Sequence, residues 1–211
     1  MIRVRKCGTI PRSLEETAAY GNEDVVRQLA EDQYGKCYIC ERHLAADFEI
    51  EHLRGRSSEL SRRWDNLFLA CNYCNKKKSN RYHNILNPLS VNVEEEITQE
   101  IDYLGKLAVF TCTHGSPEHD ETVKLLDLIF NGTRKGLRTY REERFFEYAM
   151  SVINRFYNLV TEYLFSSDAQ SEILIREELM PDKEFLGFKF HIVKSSPVLY
   201  KAFCQDMVWN R

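Results

Sequence analysis

Residues 37–75 read CYICERHLAADFEIEHLRGRSSELSRRWDNLFLACNYCN and contain two Cys-x-x-Cys pairs. The first pair is Cys37 and Cys40, and the second is Cys71 and Cys74. Two such pairs, about thirty residues apart, are typical of a structural zinc site with four thiolate ligands. Each pair can turn both of its sulfurs toward one tetrahedral ion. The residues between the pairs allow the chain to fold back, so that the second pair can reach the same ion. The stretch therefore predicts a small fold closed around zinc.

The residues between the two pairs predict a strand, a polar loop and a second strand. Residues 48–53 read FEIEHL, in which apolar and acidic residues alternate as they do in a strand. A loop with Gly and Ser follows, and WDNLFLAC at 64–71 joins a turn to an apolar run. We expect the basic segment 75–81 to begin a short helix. Strict alternation would place Glu51 and His52 on opposite faces unless the strand ends or twists there.

The basic residues are concentrated near this stretch. The whole chain has a formal net charge of -3, which argues against a uniformly cationic surface. Segment 54–81, however, contains only two acidic residues, Glu59 and Asp65. Its basic residues are Arg54, Arg56, Arg62, Arg63, Lys76, Lys77, Lys78 and Arg81. A polyanion responds to this local charge, so the segment is a candidate nucleic-acid contact.

The composition is that of a globular protein without a membrane anchor. The chain has 211 residues, 43% of them hydrophobic, and no apolar run of the about eighteen residues that a membrane span requires. The start, MIRVRKCGTIPRS, lacks the apolar core of a secretory signal. Three of the seven cysteines, Cys7, Cys112 and Cys204, stand alone, which suits a reducing compartment. We expect a cytoplasmic protein.

The flanking segments predict mostly helix. Two short helices are expected before the first cysteine pair, the second ending near Gly35. Beyond Pro88 we expect two strands with Gly105 in the turn between them, followed by helices over 119–131, 136–165 and 168–179 and a last helix after Ser196. FLGFKFHIV at 185–193 is interpreted as a strand.

These elements predict an α+β protein with three regions. Residues 1–35 form an N-terminal arm with helices, residues 36–90 form the zinc-stapled core, and residues 91–211 form a mostly helical C-terminal region.

Residues 36–82 resemble the HNH (ββα-metal) endonucleases. The resemblance is carried by Cys37, Cys40, Glu51-His52, Trp64-Asp65-Asn66-Leu67, Cys71, Cys74-Asn75 and Lys78. The spacing of His52, Asn66 and Asn75 looks like the His-Asn-Asn variant of the motif. Asn75 stands where many members have His, and Glu51 stands where many have Asp.

The resemblance implies a role for each motif residue. His52 would be the general base that takes a proton from the attacking water, and Asn66 would hold the loop and orient that base. A divalent cation, Mg²⁺ or Mn²⁺, would bind the scissile phosphate, with Glu51 and Asn75 as its ligands. His83 is the alternative ligand. Oxygen ligands suit Mg²⁺, whereas thiolates hold zinc.

Basic residues around the motif are expected to contact phosphates. The candidates are Arg54, Arg56, Lys76, Lys77 and Lys78. Each also has a simpler interpretation: the lysines could be a solvated helix face, and the arginines could serve only the solubility of the loop.

The flanks resemble a narrower group, the PtuB-type HNH proteins. The similar segments are Ile2, Pro11, Arg12, QYGKC at 33–37, IEHL at 50–53, RWDNLFLAC at 63–71 and LNP at 86–88. Such proteins are nuclease partners of an ATPase in Septu and retron-linked bacterial anti-phage systems. The resemblance implies that the C-terminal region docks on a PtuA-like ATPase. The chain contains no G-x-x-x-x-G-K-[ST] loop of its own.

Three functions remain open from the sequence. The first is a metal-dependent endonuclease that cuts DNA, with RNA a less expected substrate, as the effector of an ATPase-partnered defence system. The second is a zinc-stapled nucleic-acid-binding adaptor without catalysis. The third is a stand-alone HNH nuclease of the restriction type.

Overall fold

The computed structural model describes residues 1–17, 20–55, 60–112, 114–134 and 137–207. The helices within these ranges are α1 (Arg12–Thr17), α2 (Glu23–Asp32), α3 (Asn72–Lys78), α4 (Val93–Glu96), α5 (Pro117–Asn131), α6 (Tyr140–Ser166), α7 (Ala169–Glu178), α8 (Leu186–Lys194) and α9 (Pro197–Phe203). The strands are β1 (Phe48–His52), β2 (Leu67–Cys71), β3 (Ile97–Asp102) and β4 (Leu107–Cys112). Helices are thus combined with two small antiparallel sheets, as expected.

A hairpin and one helix form the centre of the stretch between the cysteines. β1 pairs with β2 in a register that sets Glu51 opposite Phe68, and every residue of β2 is buried. α3 begins directly after β2, because the Cys71 sulfur accepts a hydrogen bond from the Cys74 N–H and so caps the helix. The expected strand at 48–53 is confirmed. The expected helix is present but starts earlier than residue 75.

The second hairpin confirms the expected turn at Gly105. The Gly105 N–H donates to Asp102 Oδ1 over 2.9 Å. A Cβ at this position would lie 2.3 Å from Asp102 Oδ2, so a side chain here would displace the Asp102 carboxylate. α5 packs against β4, and α8 packs against β3.

The strand expected at residues 185–193 is wrong, since this segment is the helix α8. Its aromatic residues alternate with others in sequence, but Phe188 packs in one core cluster and Phe190 in another. Positions i and i+2 point about 200° apart on a helix, whereas they share a face on a strand. Because α8 is buried between two clusters, its sequence lacks the polar face that would identify a helix.

One hydrophobic core crosses the expected boundary at residue 90. The largest cluster contains Cys37 and Phe68 as well as Phe110, Phe130 and Phe145. The chain start is also buried here: the Met1 ammonium donates to Glu41 over 2.8 Å and to Gln99 over 2.9 Å. Residues 36–90 and 91–211 therefore share a core. None of the described helices has the length and apolar composition needed to cross a membrane.

Candidate functional site

The four paired cysteines converge at one point. Their sulfur atoms all lie within 4.8 Å of one another, and all four residues are buried. The sulfurs of Cys40 and Cys71 are 3.9 Å apart. A tetrahedral zinc ion with bonds of about 2.3 Å to sulfur holds its ligands about 3.8 Å apart, so the cluster fits structural zinc. Within the described ranges, no other group of three or more His, Cys, Asp or Glu side chains gathers its ligand atoms this closely.

The elements around the cluster explain its geometry. The first pair lies on a turn in which the Cys37 N–H donates to the Arg42 carbonyl over 2.9 Å. The second pair joins the end of β2 to the first turn of α3. Burial raises the pKa of the Cys40 and Cys74 thiols. A bound cation would reverse this effect, because it stabilises thiolates directly.

Glu51 lies on the face of β1 that α3 covers, and its carboxylate is bonded on both oxygens. Lys78 Nζ lies 2.6 Å from Oε1, and the Tyr38 hydroxyl donates to Oε2 over 2.5 Å. The side chains of Glu51 and Lys78 are 8% and 2% exposed. Lys78 also donates to the His52 carbonyl over 3.0 Å. This network ties the end of β1 to α3.

The His52 ring has different contacts from those of Glu51. It meets the Tyr20 ring edge to face, with the centroids 5.0 Å apart, and its Nε2 lies 3.2 Å from the Ser61 carbonyl oxygen. A carbonyl only accepts hydrogen bonds, so Nε2 carries the hydrogen in this contact. In the neutral ring the lone pair is then on Nδ1, the nitrogen that can accept a proton.

Asn66 is buried and ties together the loop that bears Ser61. Its Oδ1 accepts from the Arg54 N–H over 2.7 Å, and its Nδ2 donates to the Leu60 carbonyl over 3.0 Å. Its own carbonyl accepts from the Leu53 N–H over 2.9 Å. The Asn66 side chain thus links the residues just after β1 to the residue before Ser61.

Asn75 is bonded to Glu49, not to Glu51. Its Nδ2 donates to Glu49 Oε2, and Glu49 is exposed on the same face of β1 as Glu51. The sequence interpretation missed Glu49, although its position two residues before Glu51 in a strand was the available signal.

Several predicted residues line one cavity of about 540 Å³, namely Glu51, His52, Arg54, Asn75 and His83. The structure thus brings them to one place. The hydrogen bonds of Glu51 and Asn75 nevertheless go to different partners. To bind Mg²⁺ or Mn²⁺, the Glu51 carboxylate would have to exchange its contacts with Lys78 and Tyr38.

Lys77 and Lys78, two of the predicted phosphate contacts, are held in ion pairs. Lys78 is 1% exposed and paired with Glu51, and Lys77 is paired with Glu142 at the start of α6. Lys78 is buried and also lines the cavity beside His52, whereas the Lys77 side chain is 16% exposed.

The remaining cations differ from one another. Lys76 is exposed on α3. Arg54 donates through Nη1 to the His83 carbonyl over 2.9 Å, next to the cavity. Arg56 lies outside the described residues.

Residues 37–81 match the family model described as HNH endonuclease. The matched segment holds both cysteine pairs, β1, β2 and α3. The match supports assignment of this segment to the HNH superfamily, whose nucleases are hydrolases that act on DNA and use divalent metals. No curated protein and no solved structure matches the chain.

Proposed function

We propose that the protein is a metal-dependent HNH endonuclease that hydrolyses DNA phosphodiester bonds, with His52 as the general base. The observation that carries the proposal is the position of His52 in the wall of the cavity that Glu51 and Asn75 also line. Its Nε2 contact with the Ser61 carbonyl holds the ring in that position. An imidazole has an ordinary pKa of about 6.5, so its neutral form can take a proton from water near neutral pH.

Asn66 acts in this proposal as a positioning residue. Its hydrogen bonds hold Arg54 and Leu60, and through them the loop whose Ser61 carbonyl contacts the His52 ring. Loss of the Asn66 amide would release this carbonyl, so that the ring could turn away from the cavity. The expected consequence is slow cleavage by a folded protein.

A divalent cation, Mg²⁺ or Mn²⁺, is part of the proposed activity. The proposed ligands are Asn75 and Glu51, with His83 as the alternative, and all three line the cavity beside His52. Ligation by Glu51 requires displacement of the Lys78 ammonium and the Tyr38 hydroxyl from its carboxylate. We therefore assign no step of the reaction to the cation.

The experiment that tests the base is plasmid nicking in Mg²⁺ by wild type, His52→Ala and the control His191→Ala on α8. Removal of a general base typically costs 10²- to 10⁴-fold in rate, so His52→Ala is expected to lose at least about 100-fold. Added imidazole should restore part of this loss, because it can replace the missing ring. Equal nicking by His52→Ala and wild type would overturn the assignment.

The non-catalytic adaptor predicts a different result. It would bind DNA, yet neither wild type nor His52→Ala would nick the plasmid in Mg²⁺ or Mn²⁺, with or without a partner ATPase. Equal thermal melting of the two proteins shows that a difference in nicking does not come from misfolding.

We propose further that the nuclease is the effector of an ATPase-partnered bacterial anti-phage system similar to Septu and acts in the cytoplasm. The support for this proposal is the resemblance of the flanking segments to PtuB-type HNH proteins. Co-purification of an ATPase encoded by a neighbouring gene is the expected result. Full nicking by the isolated protein with a sequence preference would favour the stand-alone nuclease.

A further inference from the structure

A second cavity, of about 460 Å³, lies beside α3 and the first turns of α6. Four cationic side chains line it, and they come from three separate segments of the sequence: Arg42, Lys76, Arg141 and Arg144. Among the described residues in its wall, the acidic one is Asp47. The cavity therefore has an excess of positive charge, and its cations come together only in the folded protein.

Half of these cations have an acidic partner. Arg42 Nη2 lies 2.8 Å from Asp47 Oδ2, and Arg144 is paired with Glu147 in the next turn of α6. Lys76 and Arg141 are exposed, and neither forms an ion pair with a described residue. Their charges are available to a ligand at the mouth of the cavity.

The wall also contains polar atoms that lack a partner. Arg42 Nε and Asn72 Oδ1 are buried, and neither has a hydrogen-bond partner among the described residues. A guanidinium N–H in this position can donate to an anion while Nη2 keeps its contact with Asp47. The ligand that best matches four cations and an unused Arg donor carries a phosphate.

α3 connects this cavity to the one beside His52. Asn72 and Lys76 are one turn apart on the helix, and Asn75, which lines the His52 cavity, is the next position around it. We propose that the second cavity binds a backbone phosphate of the DNA duplex whose cleavage we assign to the His52 cavity. The choice of DNA as the ligand rests on that proposed function, because the same cations could also bind an acidic peptide.

The test compares two double variants that remove the same charge. Lys76→Gln/Arg141→Gln removes the two unpaired cations, and Arg27→Gln/Lys201→Gln removes two exposed cations on α2 and α9. Affinity for a labelled DNA duplex is measured by fluorescence anisotropy over a series of salt concentrations, in the His52→Ala background so that the duplex stays intact. Each lost phosphate contact reduces the magnitude of the slope of log K against log salt by about 0.9, so the first variant, which removes cations from one phosphate site, should lose up to about 0.9.

The control variant should keep the wild-type slope. Equal slopes for the two double variants would overturn the inference, and so would a parent protein whose DNA binding does not depend on salt. Cleavage is measured separately in the wild-type background. If the wild type does not cleave DNA, the proposed nuclease activity is wrong. The salt dependence of DNA binding still decides whether this cavity binds phosphate.

Discussion

The two ends of α3 contribute to two sites that are built in different ways. At its N-terminal end, the capping residue Cys71 and Cys74 in the first turn lie beside Cys37 and Cys40, so that four identical ligands meet in a buried cluster. Its later residues bond to partners of another kind, such as the carboxylates of Glu49, Glu51 and Glu142. A site made of repeated ligands can be predicted from spacing. A site made of charged pairs depends on which partners the fold supplies.

The two ends also differ in what they contribute to folding. The unfolded chain has no preformed zinc site, so a structural zinc ion binds only the folded chain. Its binding energy therefore stabilises the fold. A buried ion pair such as Glu51 with Lys78 gains Coulomb energy but loses hydration, and its main effect is to fix position. We therefore expect the largest losses of stability at the cysteine end.

The largest effect is expected for Cys37→Ser. The substitution removes one of four zinc ligands, and structural zinc is worth about 10 kcal/mol or more to small metal-dependent folds. Thermal melting should show loss of the cooperative transition or a large drop in its midpoint, and metal analysis should show loss of one zinc per chain. Cys204→Ser, outside the cluster, should melt like wild type. If the two variants melt alike, the four-cysteine site is not structural.

The next effect is expected for Lys78→Met. This change leaves the Glu51 carboxylate buried without its cation, which typically costs about 3–5 kcal/mol. The free energy of unfolding in urea measures the loss, and Lys76→Met on the exposed side of α3 is the matched control. A Lys78→Met protein as stable as this control would show that the pair does not stabilise the fold.

A smaller effect is expected for Asn66→Ala. It removes a buried amide with its hydrogen bonds to Arg54 and Leu60, which costs about 1–3 kcal/mol. Nicking should fall by more than this loss of stability explains, because the Ser61 carbonyl no longer holds the His52 ring. Urea denaturation and nicking below the melting range are measured on the same preparation. Unchanged nicking would contradict the positioning role.

The smallest effect is the pH dependence that Glu142 confers. Burial raises the pKa of this carboxyl, but hydrogen bonds from Lys77 and Thr139 outweigh it and lower the pKa from 4.5 to about 2. A folded-state pKa below the unfolded value gives stability that is present above about pH 4.5 and lost as the pH falls toward 2. The stability difference between wild type and Glu142→Gln should therefore shrink as the pH falls from 4.5 toward 2. A difference that stays constant with pH would mean that the carboxyl is not ionised when paired with Lys77.

Much of the fold follows from local patterns. The strand at 48–53, the hairpin around Gly105 and most helices were predictable because amphipathic periodicity and turn residues act within a few positions of the chain. α8 was not predictable in this way. It is buried on both sides, so its sequence carries no contrast between a polar face and an apolar face.

The candidate site also has one part that the sequence predicts and one part that it does not. Motif spacing predicted that His52, Asn75 and Glu51 would meet, and all three line one cavity. Spacing could not predict that Glu49, and not Glu51, accepts the hydrogen bond of Asn75, nor that Tyr38 donates to Glu51. These contacts depend on how α3 and the turn that carries Tyr38 pack against β1.

The amino-acid sequence by itself determined the four-cysteine cluster, because identical ligands at fixed intervals leave one way to surround an ion. It also determined the HNH motif, whose residues lie within 45 positions of the chain. Only the tertiary structure decided which lysines form ion pairs and which face solvent, because their acidic partners come from distant elements such as α6. The same distance in sequence hid the cationic cavity shared by Arg42, Lys76 and Arg141.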